Sequence, residues 1–190
     1  MPFFSVLPAL PTVADLGNLA GILALGGSLT WPLLRHRGSI LGVQIAGSLL
    51  FAVHYLLLGA PTAAAMCATG ALQGLGLVLL VGRQKWIAIV GITTAIAVGV
   101  TALTWTGIPS LLVQAGQIMS GLGRLQLDTQ RLRWCFLLSV VFWTTHNLMV
   151  GSVFGLVSDT LSMSSLILGL WRNRQLAQLA RATELKGATA

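Results

Sequence analysis

Charge is scarce in this chain. Of 190 residues, 11 are Lys or Arg and 4 are Asp or Glu, so charged residues make up 8%, against roughly 25% in an ordinary soluble domain. That scarcity excludes a single water-facing domain, because hydrophobic residues at 55% recur in runs too frequent to be hidden inside one polar shell. Cysteine is nearly absent as well. Cys67 and Cys135 stand within or at the edge of apolar runs, without the spacing of a disulfide framework or a zinc site, and both read as buried free thiols. Also missing are His-Glu-x-x-His, Gly-x-Ser-x-Gly, a phosphate-binding glycine loop and a dinucleotide fingerprint. Enzymatic activity, a metal and a cofactor are therefore not expected. The first ten residues lack the positive region and small-residue cleavage site of a secretory signal, and no processing is expected.

What the chain does have is a regular placement of its few cations. The net charge of +7 would suit nucleic acid if it formed a stripe, but it does not. Arg35 and Arg37, Arg83 and Lys85, Arg124 with Arg131 and Arg133, and Arg172, Arg174, Arg181 and Lys186 form four clusters with no Lys or Arg between them. They read as loops and a tail, so the expected partner is a lipid bilayer and not nucleic acid. Each stretch between clusters would measure about 55 to 70 Å as one helix, at 1.5 Å per residue, against a hydrocarbon core of about 30 Å. Each must fold back as a hairpin, and turn signals stand where the fold-back is needed: Gly59-Ala-Pro61, Thr106-Gly-Ile-Pro109 and Gly151-Ser152.

With one further span before Arg35, the expected spans are about 14–34, 39–58, 61–81, 86–106, 108–123, 133–150 and 153–171. Seven spans place all cations on one side, which assigns that side, with the C-terminus, to the cytoplasm of a bacterial inner membrane and the N-terminus to the outside. Trp31, Trp86, Trp105, Trp134 and Trp171 fall at span ends, as an aromatic belt requires.

Phe51-Ala-Val-His54-Tyr-Leu-Leu-Leu-Gly59 and Trp143-Thr-Thr-His146-Asn-Leu-Met-Val-Gly151 share the spacing of aromatic, histidine and glycine. Both motifs end a span and turn into a helix that finishes in a basic cluster. The expected fold class is therefore an all-α membrane protein in a 3+1+3 arrangement: a first three-helix repeat (1–82), a linker helix (83–106), a second repeat (107–172) and a basic cytoplasmic tail (173–190). Parallel repeats of this kind are a transporter plan with the solute site between the halves. One chain could complete the pathway, and a homodimer is compatible with it.

Asp159 is the one acidic residue well inside an expected span, and a carboxylate there costs several kcal/mol unless paired, hydrated or protonated. Trp143 and Asp159 lie equally far from the turn at Gly151, each roughly 12 Å deep, and His146 lies one turn from Trp143 on the same face. Histidine, indole and carboxylate are thus expected to converge on one pocket, with Asn147 beside them and Phe51 and His54 at the matching level of the first half. The matching position for Asp159 is Cys67, an asymmetry that would suit a solute with two unlike ends. Gln73, Gln114, Gln117 and Ser162 are candidate pore-lining residues. Gly155, Ser158, Ser162, Ser165 and Gly169 form a small-residue stripe that should face protein or water.

The chain resembles the YgjV-type bacterial inner-membrane proteins, a group similar in plan to the SWEET and PQ-loop sugar transporters. The resemblance rests on His54-Tyr-Leu-Leu-Leu-Gly59 and on His146-Asn147, Gly151-Ser152, Gly155 and Asp159, the last at a position where the family tends to carry an acid. Trp31-Pro32 stands where a PQ-loop protein has its Pro-Gln pair, and Gly70 and Gln73 stand where Asn and Arg are common. The resemblance implies a transporter-like fold. The expected function is movement of a small polar, sugar-like solute; the competing expectation is a membrane scaffold or regulatory subunit acting through the tail.

Overall fold

The computed structural model describes residues 12–30 and 37–188. Those residues form seven helices: α1 (Val13–Thr30), α2 (Arg37–Leu57), α3 (Pro61–Leu79), α4 (Arg83–Leu103), α5 (Ile108–Leu125), α6 (Thr129–Val150) and α7 (Val153–Ala188). Trp31, Pro32 and Arg35 lie outside the described residues. The helix boundaries follow local chemistry. Pro61 and Pro109 sit in the first turn of α3 and α5, where a missing N–H costs nothing and a fixed φ favours the helix. Gly59 and Gly151 adopt φ of 79° and 70°, left-handed values that only glycine takes up freely. In both turns the N–H that follows bonds back five residues, Ala60 to the Tyr55 carbonyl at 2.8 Å and Ser152 to the Asn147 carbonyl at 3.0 Å.

The interior is polar and the exterior apolar. Among the residues buried in the bundle, polar side chains outnumber apolar ones, and alanine predominates among the latter. Leu16, Leu19, Ile22, Leu56, Leu72, Ile92, Leu103, Leu148 and Leu168 are instead exposed. In water such an arrangement would lose the hydrophobic driving force; in lipid it is the expected one, because small residues allow close approach and polar groups must find partners inside. Pro61–Leu79, Arg83–Leu103 and Val153–Arg172 are long and apolar enough to cross a membrane, and Val13–Leu29 and Gly42–Leu57 are shorter apolar helices. The polar residues that lower the hydropathy of α5 and α6, among them Gln114, Gln117, Ser120, His146 and Asn147, are buried against neighbouring helices.

The packing order makes a ring. α2 lies between α1 and α3, α6 lies between α5 and α7, and the contacts α3–α5 and α1–α7 close the circle. α4 packs on α3 and α5. Its threonines anchor it: Thr93 accepts a hydrogen bond from Gln73 Nε2 at 2.9 Å, and Thr101 donates to Gln114 Oε1 at 2.6 Å. Gln114 thus fastens α4 to the bundle.

Trp105, just past α4, and Trp134, near the start of α6, are exposed, and so is Trp171 at the end of the apolar stretch Val153–Arg172 within α7, as the belt expectation requires. Two expectations need correction. The stripe along α7 does not stay covered, since Ser165 is exposed. Arg124 is not a loop residue; it belongs to the last turn of α5, with its side chain turned into the bundle.

Candidate functional site

Near the turns at Gly59 and Gly151, the space inside the ring is filled by a cluster of rings centred on Tyr55. Phe51 stacks on Tyr55 with centroids 5.9 Å apart, Trp143 approaches it to 5.9 Å, and His54 and His146 meet it edge-on at 5.3 and 5.9 Å. Trp143 fits because it lies on Gly116, where a Cβ would stand 2.8 Å from the indole. The candidates Phe51, His54, Trp143, His146 and Asn147 are thus brought together. Tyr55, the chain's one tyrosine, was not among them. The signal that could have found it is its place in the first motif, which matches Asn147 in the second.

Tyr55 and Asn147 bond to each other. The Tyr55 hydroxyl donates to Asn147 Oδ1 at 2.7 Å, and Asn147 Nδ2 donates to Asp159 Oδ2 at 2.7 Å. This relay crosses from α2 to α6 and ends on the intramembrane carboxylate of α7. Asn147 has room because its amide lies over Gly155, where a Cβ would stand 2.6 Å away. Asp159 therefore joins the cluster through Asn147 and not through His146 or Trp143, as its depth had suggested.

The two histidines make matching contacts. His54 Nδ1 donates to the Gly17 carbonyl at 2.9 Å, and His146 Nδ1 to the Pro109 carbonyl at 3.1 Å; in each case the acceptor lies 37 residues earlier. The donor assignment follows because a carbonyl only accepts. On the other side of the ring the match ends. His54 Nε2 meets the Ser152 hydroxyl at 3.0 Å, whereas His146 Nε2 is buried with no hydrogen-bond partner among the described residues. By the register of the motifs, the position matching Ser152 is Ala60, which has no hydroxyl.

Ser152 also caps α7, accepting the Gly155 N–H at 3.1 Å, while Ala60 provides α3 with no side-chain cap. Ala60→Ser is therefore expected to raise stability by about 1 kcal/mol through the cap, with a further few tenths from the histidine. Thermal unfolding in lipid measures this, and the gain should shrink in a His146→Leu background; an equal gain in both would deny the histidine contact.

Below this ceiling, toward the helix ends that carry the cations, lies a cavity of about 450 Å³. Every helix of the ring contributes to its wall, from Ser28 on α1 and Ser48 and Phe51 on α2 to Gly70 on α3, Arg124 on α5, Phe136 on α6 and Ser162 on α7; α4 contributes nothing. Of the pore candidates, Ser162 lines the cavity directly. Gln73 is buried behind it and accepts a hydrogen bond from Arg124. Gln117 packs over Gly70, and Gln114 faces α4. Outside the ceiling, the halves also meet through Ser28 and Ser158 at 2.9 Å and through Thr62 and Ser110 at 2.9 Å. Cys67 and Cys135 are free thiols, and the described residues contain no cluster of metal-binding side chains.

No curated protein and no solved structure matches the chain. A family model described as a bacterial inner membrane protein matches residues 15–177, which takes in the ring, its ceiling and its cavity. Together with helices apolar enough to span, this makes the protein a multi-pass protein of the bacterial inner membrane, and the chain belongs to the Imp-YgjV family.

Proposed function

We propose that the protein moves a small solute with a polar group across the inner membrane by alternating access between two halves, α1–α3 and α5–α7, with α4 as the link in a 3+1+3 plan. The observation that carries this reading is a constant register of 92 residues between corresponding contacts. Tyr55 and Asn147, 92 residues apart, bond to each other. Gly17 and Pro109 stand in the same register and receive His54 and His146 in the same way. Equivalent residues that touch each other lie beside an axis relating the two halves, and the cavity is walled by both halves beneath that contact. Parallel repeats around a central site are a transporter architecture.

By the positive-inside rule the cavity faces the cytoplasm, the C-terminus is cytoplasmic and the ring cluster is the outer closure. The closure is held by few bonds between the halves, and each such bond within a membrane contributes only about 0.6 kcal/mol, at most about 1.7. Opening is therefore within reach of solute binding. The test is thermal stability in lipid nanodiscs against sugars, amino acids, polyamines and organic acids. A bound solute at a hundredfold excess over its Kd stabilises by about 2.7 kcal/mol, and uptake of the stabilising class into proteoliposomes should follow. A stabilising class that is bound but never taken up would contradict transport.

A further inference from the structure

Arg124 is a cation on the cavity wall with no counter-charge among the described residues. It lies in the last turn of α5 with its side chain on the cavity wall. Its hydrogen-bond partner among the described residues is Gln73 Oε1, which is neutral. Its guanidinium carbon stands 5.9 Å from the centre of the Phe136 ring, a contact that orients a cation without neutralising it. No carboxylate among the described residues pairs with it: Asp159 is engaged by Asn147, and Asp128 caps α6 by accepting the Arg131 N–H. Arginine stays charged in a protein, and a charge inside a membrane bundle marks a function by default.

The surroundings hold Arg124 in place. Gln73 is fully buried and fixed from behind by Thr93, so its carbonyl oxygen is set before Arg124 meets it. Gly70 lies on the same wall, where a Cβ would stand in ordinary contact, 3.8 Å from the guanidinium and 3.7 to 3.9 Å from the Gln117 amide. Gln117 is itself buried, and its Nε2 has no hydrogen-bond partner among the described residues. A cation and an unsatisfied N–H donor thus stand beside one stretch of wall. Elsewhere the lining is largely apolar, with Leu77, Leu132, Phe136 and Val140 among it, and its neutral polar side chains are Ser28, Gln44, Ser48 and Ser162.

We infer that this cavity binds a small molecule with one carboxylate head and an apolar body, the carboxylate on Arg124 and the body against Phe136 and its neighbours. One fixed positive charge with donors matches a singly charged anion, and a planar guanidinium matches a carboxylate through two parallel hydrogen bonds. The volume lies within the usual range of small-molecule sites, about 300 to 1,000 Å³. A sugar would leave the guanidinium without a counter-charge. The inference names the solute class of the proposed transporter, but binding stands apart from movement and is tested apart from it.

The full chain in phosphatidylcholine nanodiscs is titrated with benzoate, with its neutral isostere benzamide, with oleate as a membrane-borne acid, and with glucose. Benzoate or oleate is expected to raise Tm in the wild type and benzamide is not. Arg124→Gln should weaken acid binding at least tenfold, and Arg124→Lys should restore part of it. Benzoate binding identifies a soluble solute; binding of oleate alone identifies a lipid-derived acid in the same site. Benzamide binding as well as benzoate, equal acid binding by Arg124→Gln, or stabilisation by glucose and by neither acid would overturn the assignment. If Arg124→Gln does not fold, the comparison of acid with amide in the wild type still decides. Benzoate bound but not taken up into proteoliposomes would remove transport and leave the site; uptake of a neutral solute with no acid binding would remove the site and leave transport.

Discussion

Replacing Asn147 with leucine should destabilise the protein by about 2 kcal/mol, the largest single loss expected from one side chain of the ceiling. Asn147 receives the Tyr55 hydroxyl and donates to the Asp159 carboxylate, both at 2.7 Å. Leucine removes both bonds while leaving their partners inside the bundle. Within a membrane each bond contributes about 0.6 kcal/mol, at most about 1.7, and here two are lost together. Tyr55→Phe, which removes one donor and leaves Asn147 Oδ1 without it, should cost about 0.6 kcal/mol. Reversible unfolding in mixed micelles reads both. A loss below 1 kcal/mol for Asn147→Leu would mean that the relay is not a structural element of the ceiling.

The second large effect concerns transport rather than stability. Asp159→Asn should reduce uptake at least tenfold while the protein remains folded and monodisperse. The amide keeps the size of the side chain and an oxygen to accept the Asn147 N–H, so the relay's geometry persists. What it loses is a charge that a membrane protein retains only for a function, and a proton that could be exchanged between the two faces. Uptake is measured in proteoliposomes with the acid that the nanodisc titration selects. Equal uptake by variant and wild type would remove Asp159 from the mechanism and leave it a structural acceptor for Asn147.

The contrast between these two variants separates fold from function within one hydrogen-bonded chain. The same separation shows where sequence was informative. Helix ends were readable because they depend on residue type: proline in a first turn and glycine at positive φ act locally, and the hairpin turns at Gly59, Gly107 and Gly151 follow from them. The paired histidine motifs were readable because both preserve aromatic, histidine and glycine at fixed spacing. Their acceptors were not readable, because a backbone carbonyl at Gly17 or Pro109 is available from any residue.

Arg124 was hidden for a different reason. It stands close in sequence to Arg131 and Arg133 and so resembles part of a basic loop, yet α5 continues to Leu125 and turns this side chain inward. Gln114 and Gln117 share a helical face, and that face is broad enough to meet both α4 and the cavity side, where Thr101 takes Gln114. Periodicity identifies a buried face; it does not say which neighbour covers each part of it.

The central claim, that the two halves expose one cavity to both sides in turn, is tested most directly by labelling Ser162→Cys with a membrane-impermeant maleimide in a Cys67→Ser, Cys135→Ser background. Ser162 lines the cavity beneath the ceiling, and no knowledge of the solute is needed. Rapid labelling is predicted in inside-out vesicles, with slower labelling in right-side-out vesicles that quickens when the ceiling is weakened by Tyr55→Phe. Labelling from the inner face alone, unchanged by that substitution, would contradict alternating access.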